Sequence, residues 1–293
     1  MGNKLWELLA KAEERFNKAG IEEGKTDAFL LWEFASGMNR TSWLLHKMDE
    51  LDQSYDKAVE TYEKLVQKRC LRIPLQQLTG SAAFCGFDFY VNSDVLIPRF
   101  DTEILVEEGL KQARQIKAGL KEGEPLSVLD VCTGSGCIAI SIEKLLPFET
   151  EVTGVDLSAK ALEVARKNGK LSDSRAEFIE SDVFSGVMGK RYHMILSNPP
   201  YIPSGDIDGL MEEVRDHEPR MALDGDADGL KFYRKICEEA GSHLETCGRL
   251  LFEIGCDQGE AVGRLMEQAG FTDVRITKDL AGLDRVVSGI LLR

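Results

Sequence analysis

The stretch Leu126-Ser127-Val128-Leu129-Asp130-Val131-Cys132-Thr133-Gly134-Ser135-Gly136-Cys137 decides the fold. Residues 126–131 form an apolar run of strand length. Gly134 and Gly136 let the backbone turn sharply, and residues 137–146 carry a helical pattern. A strand that turns directly into a helix is the first half of a parallel βαβ unit. The same alternation extends outward. Strands are expected at 126–131, 151–156, 176–179, 192–197, 249–254, 274–277 and 286–292. Helices are expected at 102–117, 137–146, 159–171, 227–245 and 260–269. The last two strands close the chain with no helix between them, so they should run antiparallel. The prediction is an α/β fold, a doubly wound Rossmann-like sheet of seven strands with helices on both faces.

Residues 3–71 read as helices alone. Asn3, Thr26, Thr41 and Ser54 are candidate caps, and Gly20 suits a helix stop. Leu5, Leu8, Leu9, Ala12 and Phe16 fall at helical spacing, as do Val59, Tyr62, Leu65 and Val66. Phe29, Leu30, Trp32 and Phe34 mark the second helix. Pro74 marks a boundary, and the aromatic-rich stretch 82–91 around Gly86 reads as a β-hairpin. The expected organisation is a helical bundle over 1–73, a hairpin-containing linker over 74–101 and a sheet domain over 102–293.

The chain has 293 residues, 43% of them hydrophobic, and a net charge of −14. Residues 1–80 carry 12 Lys/Arg and 13 Asp/Glu, whereas residues 81–293 carry 24 and 37. So acidic a surface argues against tight electrostatic binding of DNA or RNA. The seven cysteines are scattered, with no Cys-x-x-Cys pair, which argues against a disulfide framework or a metal site and fits a reducing cytoplasm. No segment reaches the ~18 apolar residues of a membrane span.

Open α/β sheets bind ligands beyond the carboxyl ends of their strands. Asp130–Cys137 lies there and lacks the Gly-x-Gly-x-x-Gly dinucleotide fingerprint. It resembles the glycine loop of methyltransferases, Asp/Glu-x-Gly-x-Gly-x-Gly, with Cys132 at the first glycine. Cysteine costs little there at negative φ and strains the loop at positive φ. Asp156, ending the next strand, either accepts both hydroxyls of a ribose or caps the helix after it. Asp182-Val183 follows the third strand. The resemblance implies S-adenosyl-L-methionine as cofactor, held by Cys132, Thr133, Gly134, Ser135 and Gly136. It also implies Asp156 on the ribose, Asp182 on the adenine amino group, Val183 against the ring and Asn198 bordering the same site.

Asn198-Pro199-Pro200-Tyr201 follows the apolar strand. Two prolines fix φ twice and remove two N–H donors, which leaves rigid backbone with free carbonyls. The Asn198 side-chain oxygen and the Pro199 carbonyl can each accept one N–H of a planar NH2 group, and Tyr201 can stack on its plane. That arrangement orients a poor amide nucleophile without a strong base.

The chain resembles the N5-glutamine methyltransferases of peptide chain release factors (PrmC, also called HemK) along nearly its whole length. Five segments carry the likeness. They are Ile97-Pro98-Arg99-Phe100-Asp101-Thr102-Glu103, the 198–201 loop, Glu218-Pro219-Arg220-Met221-Ala222-Leu223 with Gly225 and Asp228-Gly229-Leu230, Glu253-Ile254-Gly255 with Asp257-Gln258-Gly259, and Asp279-Leu280-Ala281-Gly282 with Asp284-Arg285. The resemblance implies methylation of the glutamine in the Gly-Gly-Gln loop of bacterial class 1 release factors, with the bundle helping to bind that partner. Asn198, Pro199, Pro200 and Tyr201 would hold the glutamine, and Phe100 would line its pocket. Arg99 would contact substrate or pair with an acid such as Glu103. The segment 212–216 should be solvated and mobile. No metal, no direct nucleic-acid contact and a monomer are expected. The alternative is an N-methyltransferase acting on an exocyclic amino group of a nucleic acid base.

Overall fold

The computed structural model describes residues 4–292. They gather into two compact units, Met1–Ser81 with Met211–His217, and Ala82–Leu210 with Glu218–Arg293.

The first unit opens with α1 (Leu5–Lys18), α2 (Gly24–Ser36), α3 (Arg40–His46), α4 (Asp56–Cys70) and the single-turn α5 (Leu75–Thr79). Its core is the apolar stripe of α1 packed on Ala28, Leu31 and Trp32 of α2 and Tyr62, Leu65 and Val66 of α4. Trp32 meets Tyr62 edge to face at 5.6 Å. Phe34, expected in this core, is 52% exposed. The helix starts also differ from expectation. Asn39, not Thr41, caps α3 by accepting the Ser42 N–H at 2.9 Å. Asp52 caps the short 3-10 turn Gln53–Tyr55 that leads into α4, so Ser54 donates where it was expected to accept. Thr26 lies inside α2, which begins at Gly24. In the two capped cases an Asx side chain two residues upstream accepts the free N–H groups instead. The expected cap at Asn3 lies outside the described residues.

The second unit begins with a hairpin, β1 (Ser81–Phe84) and β2 (Phe87–Tyr90). Its turn residues Cys85 and Gly86 have φ of 50° and 82°, the pattern of a type I′ turn, whose twist suits the strands. Phe84 and Phe89 sink into the same core as Leu105 and Ile138. Residues 74–101 therefore do not form a linker. The chain belongs to the bundle through Ser81 and packs with the sheet unit from Ala82 on.

Then follow α6 (Phe100–Lys117), β3 (Leu126–Val131), α7 (Cys137–Leu145), β4 (Thr150–Asp156), α8 (Ala159–Leu171), β5 (Glu177–Glu180) and β6 (Tyr192–Ser197). After them come the one-turn α9 (Glu212–Arg215), α10 (Lys231–His243), β7 (Leu244–Glu253), α11 (Gly259–Gln268), β8 (Phe271–Lys278) and β9 (Asp284–Leu291). The sheet order is β5-β4-β3-β6-β7-β9-β8, with β9 antiparallel to both of its neighbours and every other pairing parallel. α10 starts four residues later than the expected 227, because Asp226 and Gly229, at φ of 73° and 72°, hold the chain in a turn.

The register places the site. Val131 pairs with Val155 on one side and with Ser197 on the other. The carboxyl ends of β3, β4 and β6 are therefore level, and the loops that leave them meet on one edge.

α9 lies in Met211–His217, which belongs with the bundle. There Glu213 Oε1 accepts from Arg69 at 3.1 Å and Glu213 Oε2 from Arg72 at 2.5 Å. Arg69 also donates to Asp27 at 2.7 Å in a buried pair. The Arg72 and Arg69 guanidinium groups hold Glu213 below the usual carboxylate range against its burial. This segment, expected to be solvated and mobile, is pinned by charge.

Candidate functional site

A cleft with about 980 Å³ of space free of protein atoms opens over the level strand ends. Its walls include Cys132–Ser135, Val155–Ser158, Ser181–Val183, Asn198, Pro200, Arg99 and Thr102.

The first wall is the loop after β3. Thr133 donates its N–H to the Val155 carbonyl at 2.9 Å and its hydroxyl to Asp130 Oδ2 at 2.6 Å. Gly154 makes room for that hydroxyl, since a Cβ there would come within 2.7 Å of it. Cys132, Gly134 and Gly136 have φ of 62°, 54° and 80°. Cys132 thus occupies the left-handed region, where a side chain costs roughly 1–2 kcal/mol. Burial, with Asp156 and Asp130 nearby, holds its thiol far above the ordinary range, so it stays protonated. Asn168 ties the loop down from α8, donating to the Ser135 carbonyl at 2.9 Å and to the Tyr90 carbonyl at 3.0 Å. Asp130 is fully buried and its Oδ1 has no partner among the described residues. Burial raises its carboxyl to about 7, against the hydrogen bonds of Thr133 and Ala139.

Asp156 is no helix cap. Ser158 caps α8, accepting the Ala161 N–H at 3.2 Å. The Asp156 carboxylate accepts the Ser158 N–H on Oδ1 at 2.8 Å and the Gly134 N–H on Oδ2 at 2.9 Å. Each oxygen keeps a further lone pair for a ligand hydroxyl. Val183 lines the cleft, buried, at φ 56°, a strained conformation for a β-branched residue and one typical of binding sites. Asp182 also lines the cleft, with its carboxylate in an ion pair to Lys235 at 2.7 Å.

The second wall is the loop after β6. Asn198 Nδ2 donates to Thr102 Oγ1 at 3.3 Å. That bond commits the amide nitrogen and leaves the amide oxygen as the acceptor. Pro199 and Pro200 are buried. Tyr201 does not line the cleft. Its ring packs on the main core, and its hydroxyl donates to Glu253 Oε1 at 3.4 Å. Phe100 is 76% exposed at the start of α6 and is not among the cleft residues. The pocket role expected of it finds no support. Arg99 pairs with Glu218 at 2.6 Å and not with Glu103, whose carboxylate accepts the Cys85 N–H at 2.7 Å. Among the described residues no group of three or more His, Cys, Asp or Glu side chains is placed to hold a metal ion.

Sequence reasoning gave the supports no role, although all but Asn168 stand in the segments that carry the resemblance. Thr102, Asn168, Glu218, Glu253 and Gln258 are polar residues buried beside the two loops. For Asn168 the one signal available was a polar residue on an otherwise apolar helix face.

Two family models match. The Methyltransferase small domain covers residues 113–214 and the PrmC N-terminal domain residues 7–80. The release factor glutamine methyltransferase of Geobacter sulfurreducens is 41% identical over 85% of this chain and 88% of its own. That of Caulobacter vibrioides is 38% identical over 98% of this chain and 95% of its own. Among solved structures, a Pyrococcus furiosus methyltransferase superposes with a TM-score of 0.50 at 18% identity, over 78% of this chain and 98% of its own. A Thermus thermophilus 16S rRNA methyltransferase in complex with AdoMet and guanosine reaches 0.51 at 16% identity, over 72% of this chain and 49% of its own. These two likenesses speak for the fold alone.

Proposed function

The chain belongs to the release factor glutamine methyltransferase family, and from that premise we propose that it methylates the side-chain amide nitrogen of the Gly-Gly-Gln glutamine in class 1 release factors. The observation that carries this reading is the Asn198 amide. Its nitrogen is committed to Thr102, so its oxygen is the free acceptor on the cleft wall.

S-adenosyl-L-methionine is the methyl donor, and what it supplies is a sulfonium methyl group. The residues present fit it. Asp156 keeps one lone pair on each oxygen for the two ribose hydroxyls, beyond those taken by Gly134 and Ser158. Val183 offers an apolar wall for the adenine ring, and Asp182 Oδ2 remains beside the Lys235 pair on Oδ1 for the adenine amino group. Cys132 to Gly136 form the backbone cradle.

On the acceptor side, Asn198 Oδ1 and the Pro199 carbonyl take the two N–H groups of the glutamine amide. They align its nitrogen and push electron density toward it. The nitrogen becomes acidic once methylated and loses its proton to water, so no strong base is required. The strained cradle and the proline-stiffened holder are both set before substrate arrives. The Tyr201 ring packs on the core behind the loop, which favours Asn198, on the cleft wall, over stacking by Tyr201 as the source of orientation. The bundle is the element for release factor docking, and the reading carries a cytoplasmic monomer without nucleic-acid contacts.

The test incubates the protein with methyl-labelled S-adenosylmethionine and purified release factor, wild type and with the Gly-Gly-Gln glutamine replaced. Label should enter only the wild-type factor. Equal labelling of both would sink the glutamine assignment, and label in tRNA or DNA would favour a nucleic-acid substrate.

A further inference from the structure

We propose that Glu253 and Gln258, which lie outside the cleft, are positioning residues that grip Tyr201 at its two ends and so set the aim of the Asn198 amide. The inference rests on the reading of the 198–201 loop as the holder of the acceptor amide.

β7 ends at Glu253, and five residues later Gln258 leads into α11. The Gln258 side chain is itself immobilised. Its Oε1 accepts the Gly255 N–H at 2.9 Å, and its Nε2 donates to the Tyr201 carbonyl at 3.0 Å and toward the Gly229 carbonyl at 3.5 Å. The turn around Gly225 and Gly229 closes over the same carbonyl. A Cβ on Gly229 would stand 2.3 Å from Tyr201 O and 2.7 Å from Gln258 Nε2. Ile202, the next residue, donates its N–H to Leu223 at 3.0 Å and accepts from Gly225 at 2.8 Å. The backbone end of Tyr201 is thus fixed by one side-chain amide and one glycine turn.

The ring end meets Glu253. The tyrosine hydroxyl donates to Oε1 of that carboxyl, which is 2% exposed. The other oxygen of that carboxyl is buried without a hydrogen-bond partner among the described residues, so the Tyr201 hydroxyl is the group that engages it. The polar end of Tyr201, three residues after Asn198 in the loop, therefore rests on one buried carboxyl group. Arg285, Asp101 and Tyr201 set the charge around it. A buried polar group held on several sides fixes geometry tightly, and the loss of one member misdirects the others. Neither Glu253 nor Gln258 lines the donor cleft. Their effect should appear in the chemical step and not in donor binding.

The experiment uses Gln258→Met, which keeps the length and removes the donor, and Glu253→Gln, which keeps the shape and removes the charge. Methyl transfer to purified release factor is measured alongside calorimetric binding of S-adenosylmethionine and hydrogen exchange of the 198–204 segment. Each variant is expected to lose at least tenfold in kcat, with donor affinity within about twofold of wild type. The Ile202 amide should exchange at least tenfold faster in Gln258→Met. Tyr201→Phe combined with Glu253→Gln should cost no more than the larger single change, as for two ends of one contact. Wild-type kcat and unchanged exchange in both single variants would overturn the proposal. Exchange reads the grip without any acceptor. A wild-type protein that labels no release factor would therefore overturn the functional reading, and the grip would still be decided by the exchange data.

Discussion

The loop after β3 and the loop after β6 stand side by side and are made rigid in opposite ways. Residues 132–136 are stiffened from within, by three residues at positive φ and a Thr133 hydroxyl folded back on Asp130. Residues 198–201 have prolines but are held chiefly from outside, by Thr102, Gln258, Glu253 and the glycines of the 224–230 turn. The first is a backbone cradle shaped chiefly by its own φ angles, with Asn168 and Asp156 holding its Ser135 carbonyl and Gly134 N–H. The second presents a single side chain, and its aim depends on residues distant in sequence. Damage to the cradle should come from changes inside it, and damage to the holder from changes almost anywhere around it.

The largest effect should come from Asn198→Ala. Single-turnover labelling should find transfer abolished, with S-adenosylmethionine affinity within roughly tenfold of wild type, because an orienting contact has been removed and not a binding one. Comparable losses in both quantities would mean that the holder also builds the donor site. Next is Gly229→Ala, which attacks the holder from outside. Its Cβ would collide with the Tyr201 carbonyl at a position with φ 72°. We expect a loss of about 2–3 kcal/mol in stability and a fall in kcat of about a hundredfold, read by thermal melting and steady-state labelling.

A third prediction concerns what the loops share, since each rests on a buried carboxyl. Burial raises Asp130, under the cradle, and Glu253, under the holder, to about 7. A carboxyl raised on folding contributes stability below its unfolded value, and that contribution is lost as the pH rises through the folded one. Each should therefore cost about 2 kcal/mol between pH 5 and pH 7.5. Denaturant titrations should find this decline roughly halved in Glu253→Gln and in Asp130→Asn. An unchanged pH dependence in Glu253→Gln would show that its carboxyl is already ionised at pH 5.

The smallest effect should be Cys132→Gly. Glycine relieves the left-handed strain but adds freedom to the unfolded chain. A net gain of about 0.5 kcal/mol, or 1–2 °C in Tm, is expected, with kcat within twofold. A drop of several degrees would show that packing of the thiol outweighs its strain.

The sheet was legible because alternation is a local signal. The bounds of β3, α8 and β6 fall where apolar runs and turn residues place them. Asp156 and Asn198 could be picked out because each stands at a strand end. Helix caps were less legible, because Thr41 and Ser54 are suitable by type while Asn39 and Asp52 are suitable by position. The partners were not legible at all. Arg99 finds Glu218 across 119 residues, and Tyr201 finds Glu253 across 52, distances over which no periodicity carries information. Phe100 stands exposed at the start of α6, a placement that nothing in its sequence surroundings signals.

The excursion of Met211–His217 bears on how the molecule can be cut. A domain appended at one end can be removed by a single break. This chain passes between its two units three times, after Ser81, after Leu210 and after His217. A fragment ending at residue 81 would keep the Arg69–Asp27 pair but strip both arginines of Glu213. A fragment starting at residue 82 would carry that acid with no arginine to receive it. Neither piece is a natural building block, so recombination or limited proteolysis that respects linear order will not separate the two units intact.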